Sequence, residues 1–268
     1  MISRLGTEET FGAPEALAAL SDAWQQDPIE TQRVTSRAKK PRVLDLHLVP
    51  QMKLAETTKV FPCLDAKYPL GAKQQVRQLR NKLTHFDEEV RGREQRGMKV
   101  ISLLSLNGQR PRRGLAGNLA FALAAMEDTK VLLVDAKVMR PDLDLQLGLS
   151  EAKGLCEATR AQREDLPDCF RRIEGTQLYL LPFGQNPYGM GEGLDLRGLQ
   201  KLMAGLREQF DWILIDGPGF DTPADASLMT LCSDGTVYLV EQGVDRFEDL
   251  RLALKQTQGR YMVGAVMM

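Results

Sequence analysis

The feature that most constrains this chain is a series of short apolar runs: MKVISLLSL (98–106), KVLLVDA (130–136), QLYLLPF (177–183), DWILIDG (211–217), GTVYLVE (235–241) and MVGAVMM (262–268). Each has the length of a strand and is apolar at nearly every position, so both of its faces must be covered. Between them lie segments with helical spacing, near 114–126, 195–209, 223–232 and 246–257. In the second of these, Leu196, Leu199, Leu202, Met203 and Leu206 fall on one stripe, which reads as core. Strand and helix in alternation predict an α/β domain, a mostly parallel sheet covered by helices on both faces. A chain of 268 residues accommodates one such domain and a smaller appendage.

Upstream of residue 98 the pattern weakens. Residues 1–60 have little periodicity and are expected to be a flexible N-terminal region. Within it, RVTSRAKKPR (33–42) carries five positive charges and no acid. It reads as a solvated linker, with contact to an acidic partner or lipid headgroups as the alternative. ALAALSDAW in the same region has the spacing of a short amphipathic helix that docks on a partner. Residues 61–97 hold a linker and one helix, AKQQVRQLRNKLTHF (72–86), with Val76, Leu79, Leu83 and Phe86 on one face and Arg77 and Arg80 on a neighbouring stripe. A second linker, EEVRGREQRG, is expected before the main domain at 98–268.

Composition excludes several classes. The formal net charge is −1, which gives no reason to expect a nucleic-acid partner. No run approaches the roughly 18 apolar residues of a membrane span, and Glu8, Glu9 and Glu15 stand where a signal peptide needs an apolar core. The expectation is a cytoplasmic protein without direct membrane insertion, peripheral to an inner membrane only through a partner. Cys63, Cys156, Cys169 and Cys232 show no C-x-x-C spacing, and with two histidines in the chain they read as free core thiols, with no metal site.

Two apolar runs end in aspartate: VLLVDA brings Asp135, and WILIDGPG brings Asp216, to a carboxyl-terminal strand end. Ligands collect at that edge of a parallel sheet, so both carboxylates are expected to face one crevice. The strand-to-helix loop NGQRPRRGLAGNLA (107–120) should open on the same crevice, because the unpaired N–H groups of a first helical turn attract anions. Together these features predict the architecture of a P-loop nucleoside triphosphatase.

The order KVISLLSLNGQRPRRGLAGNLAFALA, KVLLVDAKVMRPDLDLQLGLSEAKGL, LYLLPFG, FDWILIDGPGFDTPADA, SDGTVYLVEQG resembles the MinD/ParA-type P-loop proteins. Within these it is most similar to the cytoplasmic kinase domain of bacterial tyrosine autokinases that regulate capsule and exopolysaccharide assembly. The resemblance covers about residues 70–268. MRPDL followed by LGL and a GL pair, and LLPFG before FDWILIDGP, belong to that branch. RQLRNKL (77–83) is similar to the branch's arginine-bearing helix, which implies subunit contact through Arg77 and Arg80, although Gln74 stands where that motif carries a glutamate.

Against the pattern implied by the resemblance, the phosphate loop is degenerate. Its glycine-lysine-hydroxyl end falls on Pro111, Arg112 and Arg113, with Gly114 on the adjoining hydroxyl position; Gly108 and Arg110 complete the loop. No lysine occurs from Val100 to Thr129, and no serine or threonine from Leu106 to Met126, so no shift of alignment restores the motif. The missing lysine would neutralise β- and γ-phosphates and the missing hydroxyl would hold Mg²⁺. Pro111 lacks the N–H that a glycine would donate. Hydrogen bonds to charged groups contribute about 1.5 to 3 kcal/mol each, so losing two or three weakens nucleotide affinity by thousands-fold or more, on the order of magnitude.

Where the branch has a second aspartate two residues after Asp135, this chain has Lys137. Residues two apart point the same way, so we expect Lys137, with Arg112, to neutralise Asp135 and Asp216 by a salt bridge in place of Mg²⁺; a lysine turned to solvent is the alternative. The branch's tyrosine-rich acceptor tail is not expected either, since the sequence stops at MVGAVMM with Tyr261 nearby, and Tyr179, Tyr188 and Tyr238 read as packing residues.

The resemblance, taken with these departures from its pattern, implies a catalytically silent scaffold or pseudokinase, with no cofactor expected. Its implied partner is an inner-membrane polysaccharide copolymerase or another exopolysaccharide machinery protein, in a homo- or hetero-oligomer. Two alternatives stand beside it. One is an active ATP- and Mg²⁺-binding enzyme in which Arg112 or Arg113 supplies the lysine's charge. The other is a ParA-like positioning adaptor or polyanion binder using Arg110, Arg112, Arg113 and the basic stretch at 33–42.

Overall fold

The computed structural model describes residues 44–53, 69–94, 97–107, 114–138, 141, 152–185, 194, 196–257 and 262–267. Among these, eight strands form one sheet: β1 (Gln51–Met52), β2 (Val100–Ser105), β3 (Val131–Asp135), β4 (Arg171–Ile173), β5 (Leu178–Leu181), β6 (Trp212–Gly219), β7 (Gly235–Val240) and β8 (Met262–Met267). The helices are α1 (Leu70–Glu94), α2 (Leu115–Ala124), α3 (Leu155–Ala158), α4 (Leu196–Leu206), α5 (Pro223–Cys232) and α6 (Phe247–Gln256). The strand order is β1-β4-β5-β3-β6-β2-β7-β8. From β5 to β8 every pairing is parallel, while β4 runs antiparallel to β5.

Alternation along each strand divides the core into two layers. Val100, Leu104, Leu132, Val134, Tyr179, Leu181, Ile213 and Ile215 pack on one face with Leu199, Leu202, Met203 and Leu206 of α4 and Ala226 and Met229 of α5. The intervening residues Ile101, Leu103, Val131, Leu133, Leu178, Leu180, Trp212 and Leu214 pack on the other with Leu83 of α1 and Leu119 and Leu123 of α2. This is the doubly covered sheet that the apolar runs require, because neither face can be left in water. At the far edge, α6 covers Tyr238, Val240 and Met262 with Leu250 and Ala253.

Three expectations differ from the structure. The linker expected after residue 86 is helix: α1 continues to Glu94. Its last turns are held by Val90, which packs against the core, by an Asp87–Arg91 ion pair at 2.7 Å, and by the Met98 N–H donating to Asp87 Oδ1 at 2.5 Å. The flexible region expected through residue 60 is already part of the fold at 44–53. Leu44 and Val49 are buried, the Leu44 N–H donates to Gln209 Oε1 at 2.9 Å, and β1 pairs with β4. The third difference is β4 itself, which no apolar run announced. RRI holds its arginines by local acceptors: Arg172 donates to the Thr176 carbonyl and lies over the Tyr179 ring.

Candidate functional site

The three strands that carry the expected crevice are neighbours, β3-β6-β2, and all run in the same direction. Asp135 closes β3 and pairs in register with Asp216 of β6. Both lie in the alternation of the residues that face α2: Val131 and Leu133 before Asp135, Trp212 and Leu214 before Asp216. The two carboxylates therefore stand side by side on the face where the loop from β2 enters α2. Just beyond Asp216, β6 gains one residue relative to β2, since Leu103 pairs with Asp216 and Ser105 with Gly219. That bulge needs Gly217, where a Cβ would collide with the Leu104 side chain and sit 3.3 Å from the Leu103 carbonyl oxygen.

Asp135 is fully buried, and the Lys137 N–H donates to its Oδ1 at 3.1 Å. The Lys137 ammonium is ion-paired with Asp216 Oδ2. Their side chains are 22% and 18% exposed, enough burial for the pair to be weakly screened. The Ala136 N–H, donating to the Asp216 carbonyl at 3.0 Å, carries the β3–β6 pairing one residue past the strand and sets Lys137 where its side chain reaches across. Lys137 is thus turned toward the neighbouring strand and the Asp216 carboxylate.

These residues do not fit a divalent cation. A second cation about 4 Å from the ammonium would be repelled on the order of 8 kcal/mol, twice the unit-charge value for the dielectric of a protein surface. Gly114, the cap of α2, has φ 85°, in the left-handed region. A threonine or serine there would be strained, so the position cannot simply accept the hydroxyl that the motif lacks. Gly108, Arg110, Arg112 and Arg113 lie outside the described residues. Behind Gly114 the helix is regular, with the Asn118 N–H donating to the Gly114 carbonyl at 2.7 Å and the Asn118 side chain buried.

The GL pair and the LLPFG run, distant in sequence, meet in the structure. Leu155 and Cys156 donate their N–H groups to the carbonyls of Pro182 and Phe183, at 2.8 and 3.0 Å. Glu157 ties the turn together, accepting from the Gly154 N–H at 2.8 Å and the Gln185 N–H at 3.1 Å. A Cβ at Gly154 would come within 2.5 Å of the Gly184 nitrogen, and Gly184 itself has φ 84°. These glycines are required by backbone approach, a role that residue spacing alone does not reveal. Sequence reasoning also passed over Asp225, in the first turn of α5 after β6, whose carboxyl is pushed up by burial.

The two arginines assigned to contact divide. Arg77 is exposed. Arg80 is half-buried, donating to the Ala122 carbonyl of α2 at 3.5 Å and to Asn81 Oδ1. Of the cysteines, Cys156, Cys169 and Cys232 are buried thiols, and burial, reinforced by the Glu157 charge, pushes Cys169 up to about 12. Tyr179 and Tyr238 are buried packing residues; Cys63 and Tyr188 lie outside the described residues. Among the described residues no helix is long and apolar enough to cross a membrane.

A mostly parallel sheet with paired strand-end carboxylates is the fold of MinD in the MinC:MinD cell division protein complex of Aquifex aeolicus, which this chain matches with a TM-score of 0.51 and 22% identity over 63% of its own length and 68% of that chain. Residues 98–261, more than half of the chain, match the family described as Cellulose biosynthesis protein BcsQ, and the chain belongs to that family. It is 25% identical over 158 residues to the Tyrosine-protein kinase ptk of Acinetobacter johnsonii, covering 58% of this chain and 21% of that protein. Over 167 residues it is 27% identical to the Succinoglycan biosynthesis transport protein ExoP of Rhizobium meliloti (strain 1021), covering 61% of this chain and 21% of that one. The aligned region thus spans about a fifth of each of these relatives. The kinase domain of the Escherichia coli tyrosine kinase ETK shares the fold with a TM-score of 0.63 and 20% identity, over 79% of this chain and 78% of that one.

Proposed function

We propose that this chain is a catalytically silent, tyrosine-kinase-like P-loop protein that serves as a regulator or scaffold in exopolysaccharide synthesis and export. Its partner on this reading is an inner-membrane polysaccharide copolymerase or another component of that machinery. The family's description and the name of the succinoglycan relative support the process. The silence is carried by one observation: between Leu106 and Met126 there is no lysine, serine or threonine to hold phosphate and metal together. The left-handed backbone at Gly114 is consistent with a loop that has left that chemistry behind. Asp135 and Asp216 are then retained positions of a former site, and Arg77, exposed on α1, is the available arginine for a subunit contact.

An equilibrium titration of the purified protein with a fluorescent ATP analogue and Mg²⁺, alongside a phosphate-release assay, tests this reading. No saturable binding and no turnover are expected. Tight Mg²⁺-dependent capture, lost on Arg112→Ala or Arg113→Ala, would replace it with an active enzyme in which a guanidinium takes the lysine's place.

A further inference from the structure

We propose that Lys137 is a resident cation: its ammonium permanently takes the part that an exchangeable divalent ion would play between the carboxyl ends of β3 and β6. The inference deepens the silent reading of the same crevice and rests on it. Three observations carry it. The ammonium is ion-paired with Asp216, while the backbone N–H of the same residue donates to Asp135, so one lysine engages both strand-end carboxylates. The two aspartates are register partners, so whatever bridges them ties adjacent strands at the point where the crevice opens. Ala136 hydrogen-bonds to the Asp216 carbonyl and is fully buried, which leaves residue 137 little freedom to turn away.

An ion supplied by the chain cannot dissociate, follow nucleotide into the site or leave with a product. The crevice consequently has one charge state and one geometry, whatever the supply of metal or nucleotide.

Two experiments on the full chain test the resident cation. In the first, Mn²⁺ binding is followed by the electron paramagnetic resonance signal of the free ion. Wild type should leave the signal unchanged, and Lys137→Asp should bind Mn²⁺ at least roughly tenfold tighter, with the gain lost again in Lys137→Asp combined with Asp216→Asn. Binding by wild type as tight as by Lys137→Asp, or no gain in the folded variant, would overturn the proposal. The second keeps it testable should three neighbouring carboxylates prevent folding. A double-mutant cycle of Lys137→Met and Asp216→Asn, read by urea unfolding, should show a coupling of roughly tenfold in the unfolding equilibrium constant; strictly additive effects would overturn it. The failures are separable. Nucleotide capture by wild type without any Mn²⁺ binding sinks the silent reading and supports the lysine's role, whereas Mn²⁺ capture by wild type without nucleotide sinks the lysine's role.

Discussion

The two ends of the sheet use carboxylates in opposite ways. At the amino-terminal edge, Asp234 accepts from the N–H groups of Lys99 and Val100, both at 2.9 Å, and from the Arg207 guanidinium at 2.5 Å. Asp211 accepts from the Lys130 N–H at 2.9 Å, and Asp87 from Met98. These acids face strand-starting N–H groups that have no ladder partner, and they satisfy them. At the carboxyl edge, Asp135 and Asp216 lie side by side and are both engaged by Lys137. The first set is required by the fold whatever the protein does. The second occupies the edge where a parallel sheet concentrates ligands, and there the donor is a lysine side chain reaching from the neighbouring strand. The difference teaches that a strand-end acid is structural or functional according to the donor in front of it.

The strongest challenge to this contrast is Asp234→Ala. Removing one carboxylate strands three donors, two of them backbone, and the cost in urea unfolding should be roughly 3 kcal/mol, about 1 kcal/mol for each donor left in a half-buried site. A loss under about 1 kcal/mol would mean that the amino-terminal edge is not the scaffold described here.

A smaller effect locates alkaline sensitivity in the scaffold. Burial pushes Tyr238 from 10.0 up to about 12 and Cys169 from 9.0 up to about 12. Both groups stay neutral in the folded chain after the unfolded chain has begun to release its protons. Their contribution is complete below pH 9, declines for Cys169 above pH 9 and for Tyr238 above pH 10, and is lost as pH passes about 12. Each declines by about 1.4 kcal/mol per pH unit within its window. Tyr238→Phe, which keeps the packing and removes the bond to Thr257 Oγ1 at 2.7 Å, should roughly halve the slope above pH 10 in unfolding curves taken across that range, leaving the Cys169 part. An unchanged slope would show that Tyr238 is not the group responsible.

The smallest effects sharpen the division on α1. Arg77→Ala should leave the unfolding midpoint within about 0.5 kcal/mol, whereas Arg80→Ala should cost roughly 1 kcal/mol through its contact with α2. If Arg77 serves a subunit contact, its replacement should lower the mass seen by sedimentation while stability holds. Equal destabilisation by the two would remove the distinction.

Much of the architecture was legible because buried parallel strands announce themselves as uninterrupted apolar runs. VLLVD and WILIDG gave their strands and also delivered Asp135 and Asp216 to strand ends. The helix stripe from Leu196 to Leu206 could be read for the same reason, its period being set by burial. What escaped were elements whose stability comes from distant partners. RRI becomes β4 because β5 and β1 lie on either side of it, and residues 44–53 join the sheet through Gln209 and β4, neither of which local composition reveals. Likewise, the end of α1 depended on Asp87 meeting Met98 across the turn into β2.

By itself the sequence determined the alternation of strand and helix, the edge at which the two aspartates emerge, and the absence of an ammonium and a hydroxyl from the loop, since these follow from residue type and period alone. Only the tertiary structure decided that Asp135 and Asp216 are register partners, that Lys137 turns inward to them, and that Gly114 is left-handed. Those outcomes depend on how β3, β6 and α2 pack against one another, and a lysine two residues past a strand end has no local reason to choose a carboxylate on the next strand over water.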